Sequence, residues 1–220
     1  MELRAAAKRL PLATSAYALV RLSPGRDTWF TADYRHNSGV GSDLNATKVI
    51  SGELLSLLNS LSVHSMLDIP CGDFVWMRHA DLGSTTYIGA DIITPLIVSH
   101  QRLYASDKRT FTKLDIATET LPQVDLILCR DCLPHFSHRL VKRAVNNIKR
   151  SRSRYLLTTT FPEHSINKGV FTGSWQPLNL CAPPFKFPSP IRLINEGHQP
   201  PIRGQEPWIV AHSRLANVLT

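Results

Sequence analysis

Three apolar runs in the middle of this chain are followed or closed by an aspartate. They are SMLDI at Ser65–Ile69, TYIGAD at Thr86–Asp91, and TFTKL at Thr110–Leu114 with Asp115 next. Two more runs follow, VDLILCR at Val124–Arg130 and RYLLTTT at Arg154–Thr160. Each is short and mostly apolar on both faces, as expected of strands covered by helices on two sides. Helical patterns lie between them, at Trp76–Ala80, Pro95–Leu103 and His138–Ile148, and Pro95 suits a first helical turn. Ahead of the first run, Leu44, Val49, Ile50, Leu54, Leu57, Leu58 and Leu61 recur at three- and four-residue spacing. That spacing predicts an amphipathic helix over Leu44–Leu61, capped by Ser42 or Asp43. Alternation of this kind predicts an α/β fold with a doubly wound, mostly parallel sheet.

With 220 residues the chain has room for one sizeable domain. The expected organisation is a lead-in over 1–41 and a single domain over 42–220. From Phe161 prolines punctuate the chain, and a proline-rich loop is expected at about 161–190. Two late β-like runs, Ile191–Ile194 and Trp208–Ala211, suggest an antiparallel hairpin closing one sheet edge.

The formal net charge is +8, and seven Lys and Arg with no acid fall between His138 and Arg154. Such a stretch is either a solvated helix with its connecting loop or a face that attracts a polyanion. It carries no interleaved aromatic residue for stacking on bases, so nucleic acid is not the favoured partner. Four cysteines are too few for a disulfide scaffold. The Cys129–Cys132 pair has C-x-x-C spacing, but it stands alone and ends an apolar run, so no metal is expected. No apolar run approaches the ~18 residues that span a bilayer, so no membrane partner is expected. The Arg-rich, acid-poor start MELRAAAKRLPLATSAYALVRL fits either an organelle import segment or a short surface helix, leaving a cytoplasmic expectation with import open.

Open parallel sheets collect ligands at the carboxyl ends of their strands. Here those ends present Asp68 with Pro70, Cys71 and Gly72, then Asp91, then Asp115, then Arg130 and Asp131. A carboxylate about twenty residues past a glycine turn is suited to ribose hydroxyls, and the next one to an adenine amino group. Gly72 permits close backbone approach. The alternative is that the three aspartates only cap the segments that follow them. The turn I-P-C-G-D-F has one glycine where a dinucleotide site wants G-x-G-x-x-G, and Asp73 would repel a phosphate. A cationic ligand without phosphates suits it better, which disfavours a nicotinamide dehydrogenase.

LDIPCGDF, YIGADI and LDIATETLPQVDLILCRDCL resemble, in order and spacing, the cofactor motifs of class I S-adenosylmethionine-dependent methyltransferases. The wider pattern, from FTADYRHNSGVGSDLNAT through TTTF, SWQPLNLCAPPF and RLINEG, resembles one subgroup of them. The resemblance implies a Rossmann-like, seven-stranded sheet with the C-terminal hairpin. It also implies Asp68 and the Cys71–Gly72 turn near the methionine moiety, Asp91 on the ribose and Asp115 near the adenine. Pro70, Ile92, Ile116 and Arg130, beside those positions, complete the expected cofactor set. The chain departs from the common pattern at Pro70 and Phe74, where small residues or glycine are usual. Gly39–Ser42 has two readings: a helix lead-in, or a site where Ser42, with help from Arg35, meets the methionine carboxylate.

For an O or N acceptor, a base assists by removing a proton. The candidates are Asp131 and His135 in RDCLPHF, each with a plain structural alternative as a cap or a core histidine. Trp175, Gln176 and Asn179 are candidates for the acceptor pocket. The leading expectation is a methyltransferase, monomeric or homodimeric, acting on an unidentified acceptor. The competing one is a non-catalytic module that binds S-adenosylmethionine or a nucleoside and engages RNA through the basic stretch.

Overall fold

A computed structural model describes Ser38, residues 40–196 and residues 208–213. The lead-in before Ser38, with Arg35, and also Gly39 lie outside the described residues. Helix α1, Lys48–Ser60, buries Ile50, Leu54, Leu57 and Leu58. It starts later than the leucine spacing predicts. Asp43 instead closes a separate turn, its Oδ1 accepting from the Ala46 amide at 2.7 Å, and Leu44 is left 53% exposed. Ser42 Oγ caps nothing and donates to the Ser38 carbonyl at 3.3 Å.

Strand β1 (Ser65–Asp68) leads to β2 (Thr86–Asp91), helix α2 (Thr94–Tyr104) and β3 (Arg109–Lys113). The chain then crosses to β4 (Leu126–Cys129), helix α3 (His138–Arg150) and β5 (Tyr155–Thr160). These five strands are parallel in the order β3-β2-β1-β4-β5. Beyond β5, β7 (Trp208–Ser213) pairs antiparallel with it, and β6 (Arg192–Asn195) pairs antiparallel with β7. Strand order reverses between β1 and β4, and a crevice opens at such a switch point.

Side chains alternate across the sheet with period two. Leu67, Ile127, Cys129 and Leu156 meet Leu140, Val141, Ala144, Val145 and Ile148 of α3 on one face. Met66, Leu126, Leu128 and Leu157 meet Ile50, Leu54 and Leu58 of α1 on the other. Both faces are covered, which is why the strand sequences are apolar throughout.

Two further expectations differ from the structure. Trp76–Ala80 holds only a single tight turn, Met77–His79, because Trp76 and Met77 are buried and Ala80 is already extended. Strand β4 begins at Leu126, not Val124. Asp125 stands at its entrance and accepts from the His64 and Ser65 amides, the Ser65 hydroxyl and Arg154. The proline-rich segment is packed rather than loose, with Leu178, Leu180, Phe185 and Phe187 buried in the α3-side core. Among the described residues, no helix is long and apolar enough to cross a membrane.

Candidate functional site

The turn after β1 is built from backbone hydrogen bonds that a glycine permits. The Cys71 amide donates to the Ala90 carbonyl on β2 at 2.8 Å. Gly72 then takes φ +53, where a Cβ would lie 2.4 Å from Ser38 Oγ. Its amide donates to Asp91 Oδ2 at 3.3 Å, and its carbonyl meets His100 Nε2 at 2.8 Å. Asp73 pairs with Ser38: the Asp73 amide donates to Ser38 Oγ at 2.7 Å, and the Ser38 amide donates to the Asp73 carboxylate at 3.4 Å. Phe74, at φ +60, enters an aromatic cluster with Tyr87, Tyr104 and Phe111. The departure at Phe74 is thus a core anchor beneath the turn. Pro70 is half-buried at its start, and Cys71 is a buried free thiol whose pKa burial and the nearby aspartates push up.

Asp68 and Asp91 end adjacent strands, and both are nearly inaccessible to water. Tyr87 donates to Asp68 Oδ2 at 2.7 Å. Burial nonetheless pushes the Asp68 carboxyl up to about 7, against the lowering effects of that hydrogen bond and of the Arg130 charge. Asp91 is raised by burial to about 6, partly offset by the amides of Ile93, Gly72 and Ile92. The main cause at both is burial, which favours the neutral acid. Asp115 is half-buried, with Oδ1 accepting from the Ala117 amide at 2.8 Å. Ile92 packs on the α3-side core at its edge, and Ile116 is buried within it.

After β4 the side chains come together around Arg130. Its Nε and Nη2 donate to the two Glu196 oxygens at 3.0 and 3.2 Å, and Nη1 donates to the Gly41 carbonyl at 2.7 Å. Nη1 also lies 3.0 Å from Asp131 Oδ2, and the guanidinium carbon sits 5.8 Å from the Trp76 ring centre. Arg130, expected toward the cofactor, thus directs its donors to protein partners. Asp131 takes φ +50, its amide donating to Thr159 Oγ1 at 2.9 Å and its Oδ1 accepting from that hydroxyl at 3.1 Å. Its side chain remains 37% exposed, so it meets both the network and solvent.

His135 lies in the short turn Leu133–His135 that follows. Burial lowers its pKa, opposed by the Asp131 charge, so the imidazole is neutral at pH 7. Its Nδ1 is buried without a hydrogen-bond partner among the described residues. The Gly173 and Gln176 amides donate to the His135 and Pro134 carbonyls, which lays the proline-rich segment along this turn. Gln176 is 4% exposed with neither amide atom paired among the described residues, and Trp175 stands edge-on to Phe161. Asn179 serves the fold, with its Nδ2 on the Pro162 and His164 carbonyls and its Oδ1 accepting the Cys181 amide. A separate cavity of about 260 Å³, lined in part by Tyr87, Lys108 and Arg109, opens at the opposite end of the sheet.

Glu196, Ser38 and Thr159 carried no role in the sequence reading. Glu196 had no clear local signal, since it follows Asn195 in a strand of mixed polarity and exposed pattern. Its partner lies 66 positions away, which no local pattern conveys.

Solved structures of the same architecture exist. Human N-acetylserotonin methyltransferase, crystallised with S-adenosylmethionine, superposes with a TM-score of 0.56 and 13% identity over 77% of this chain and 53% of that one. An N-methyltransferase from Bradyrhizobium japonicum gives 0.55 and 14% over 80% and 99%. The fold is the Rossmann-like methyltransferase fold. Magnesium protoporphyrin IX methyltransferase from Synechocystis, with bound S-adenosylhomocysteine, gives 0.52 and 14% over 90% of this chain and 93% of that one. The chain spans about half the length of the human protein. No family model and no curated protein sequence matches the chain.

Proposed function

We propose that this protein is an S-adenosylmethionine-dependent methyltransferase acting on an O or N acceptor. The observation that carries the reading is the hydrogen bond from the Gly72 amide to Asp91 Oδ2 at the switch point of the sheet. It joins the glycine turn and the ribose-type carboxylate into one rigid unit, where this fold takes nucleosides. The charge balance agrees. Asp131, Glu196 and Asp68 act on one guanidinium, and Asp91 adds a fourth carboxyl beside Asp68, an environment that suits a sulfonium and an amino group and opposes phosphates.

When bound, the cofactor supplies an electrophilic methyl carbon on sulfur. That methyl group would pass to the acceptor's lone pair, with the carbon–sulfur bonding pair left on sulfur. The chain's own work is to hold the reactants in line, a large source of rate, and to take the acceptor's proton. His135 is the better base of the two candidates, because it is neutral at pH 7 and has an unpartnered buried Nδ1. Asp131 supports the resulting imidazolium by its charge. Asp91 holds the ribose, and Asp68 faces the methionine end. Asp115 holds the adenine side with Ile92 and Ile116.

The competing reading, a binding module that engages RNA, draws on α3, whose Arg139, Lys142 and Arg143 are exposed. One experiment separates them. Calorimetric titration with S-adenosylhomocysteine is combined with transfer of a labelled methyl group to a panel of O and N acceptors. Cofactor binding with transfer to any acceptor supports the enzyme. Cofactor binding without turnover, together with salt-steep RNA binding, supports the module.

A further inference from the structure

Glu196 follows β6 near the far end of the chain, yet its side chain has no exposed surface. A buried carboxylate is costly unless it is paired and hydrogen-bonded. Glu196 meets this condition with both oxygens on Arg130, in the bidentate arrangement that fixes a guanidinium plane. With Nε and Nη2 held there, Nη1 points at the Gly41 carbonyl and at Asp131. Gly41 belongs to a short segment whose other anchor is Ser38, which exchanges hydrogen bonds with Asp73. Ser38 and residues 40–42 therefore bridge the turn after β1 and the turn after β4, the two lips of the crevice. A Cβ on Gly41 would sit 2.7 Å from Asp131 Oδ2, so this bridge is packed against the residue beside the acceptor.

We propose that Glu196 is a positioning residue, which through Arg130 clasps residues 40–42 across the cofactor crevice. The cofactor half of this inference rests on the methyltransferase reading; the clasp itself does not. Closure of the crevice then depends on a carboxylate delivered by the C-terminal strand pair. Arg130 acts as the joint between the two.

The test uses the full chain and the variants Glu196→Gln, Arg130→Gln and the double variant, with folding checked by thermal melting. Backbone amide exchange over residues 40–42 is measured without ligand, and affinity for S-adenosylhomocysteine is measured separately. Glu196→Gln is expected to lose amide protection at 40–42 and to weaken ligand binding by about tenfold. In the Arg130→Gln background the Glu196 change should add nothing to either readout, because its effect passes through the guanidinium. Unchanged protection at 40–42 in folded Glu196→Gln would overturn the proposal. So would a Glu196 effect that persists in full without Arg130. If Glu196→Gln does not fold, Glu196→Leu/Arg130→Met removes both buried charges together, and the same loss of protection is expected of it. Absence of ligand binding by the wild-type protein would defeat the methyltransferase reading, while the ligand-free exchange would still decide the clasp.

Discussion

The two halves of the crevice are made differently. The half proposed for the cofactor centres on one turn from Asp68 to Asp73 and one strand end at Asp91, tied by the Cys71 and Gly72 amides, with Ser38 and His100 as the distant supports. The half proposed for the acceptor is assembled almost wholly from distant pieces. Asp131 is held by Thr159 and Arg130, Arg130 by Glu196 and Gly41, and the His135 turn by Gly173 and Gln176. A turn made of backbone contacts is fixed wherever the fold forms. A site made of long-range side-chain contacts can change its specificity while the sheet stays the same, and acceptors vary among enzymes sharing one fold.

The comparison breaks first at His135. His135→Ala should lower turnover by about 10²–10⁴-fold while leaving S-adenosylhomocysteine affinity unchanged by calorimetry. Equal loss in both quantities would mean that the halves are not separable. On the cofactor side, Asp91→Ala should weaken that ligand about 10- to 150-fold, the worth of a charge-assisted hydrogen bond. Steady-state KM for the acceptor, at saturating cofactor, should hold.

A smaller effect comes from Gly72→Ala. At φ +53, with Ser38 Oγ 2.4 Å from the new Cβ, it should cost about 1–3 kcal/mol of stability by denaturant titration. Ligand affinity should fall with it. The pH dependence sharpens the contrast further. Burial raises Asp91 to about 6 and Asp68 to about 7, so each holds its proton in the folded chain after it has left the unfolded one. Both therefore subtract stability from the ligand-free protein as pH climbs from about 4 toward 7. A cationic ligand prefers them ionised, so its affinity should rise over the same upper range. Each group contributes at most about tenfold per pH unit. A flat calorimetric profile from pH 5.5 to 7.5 would count against both carboxylates as cation partners. Gln176→Leu should do least to the fold, within about 1 kcal/mol by thermal melting, because its amide has no partner among the described residues to lose.

How far the chain could be read in advance follows the same division. Asp68, Gly72 and Asp91 were legible because each sits where an apolar run stops, and a parallel sheet places such stops on one edge. The start of α1 was misread at Leu44, since apolar spacing continued through a turn that Asp43 closes separately. The Trp76–Ala80 pattern was misread because burial of Trp76 and Met77 looks the same in sequence whether a helix or a single tight turn delivers it. Asp125 passed as part of a strand, although its partners, two amides and Arg154, mark it as the entrance. Ser38, Thr159 and Glu196 could not be read, because their meaning lies in contacts 28 to 66 positions away.

The central claim is that this crevice takes a nucleoside that carries an amino group and no phosphate, and refuses a pyrophosphate. Parallel calorimetric titrations of the wild-type protein with S-adenosylhomocysteine and with a nicotinamide dinucleotide test it directly. Saturable one-to-one binding of the first and no heat from the second is the predicted result. Binding of the dinucleotide with none of S-adenosylhomocysteine would contradict it.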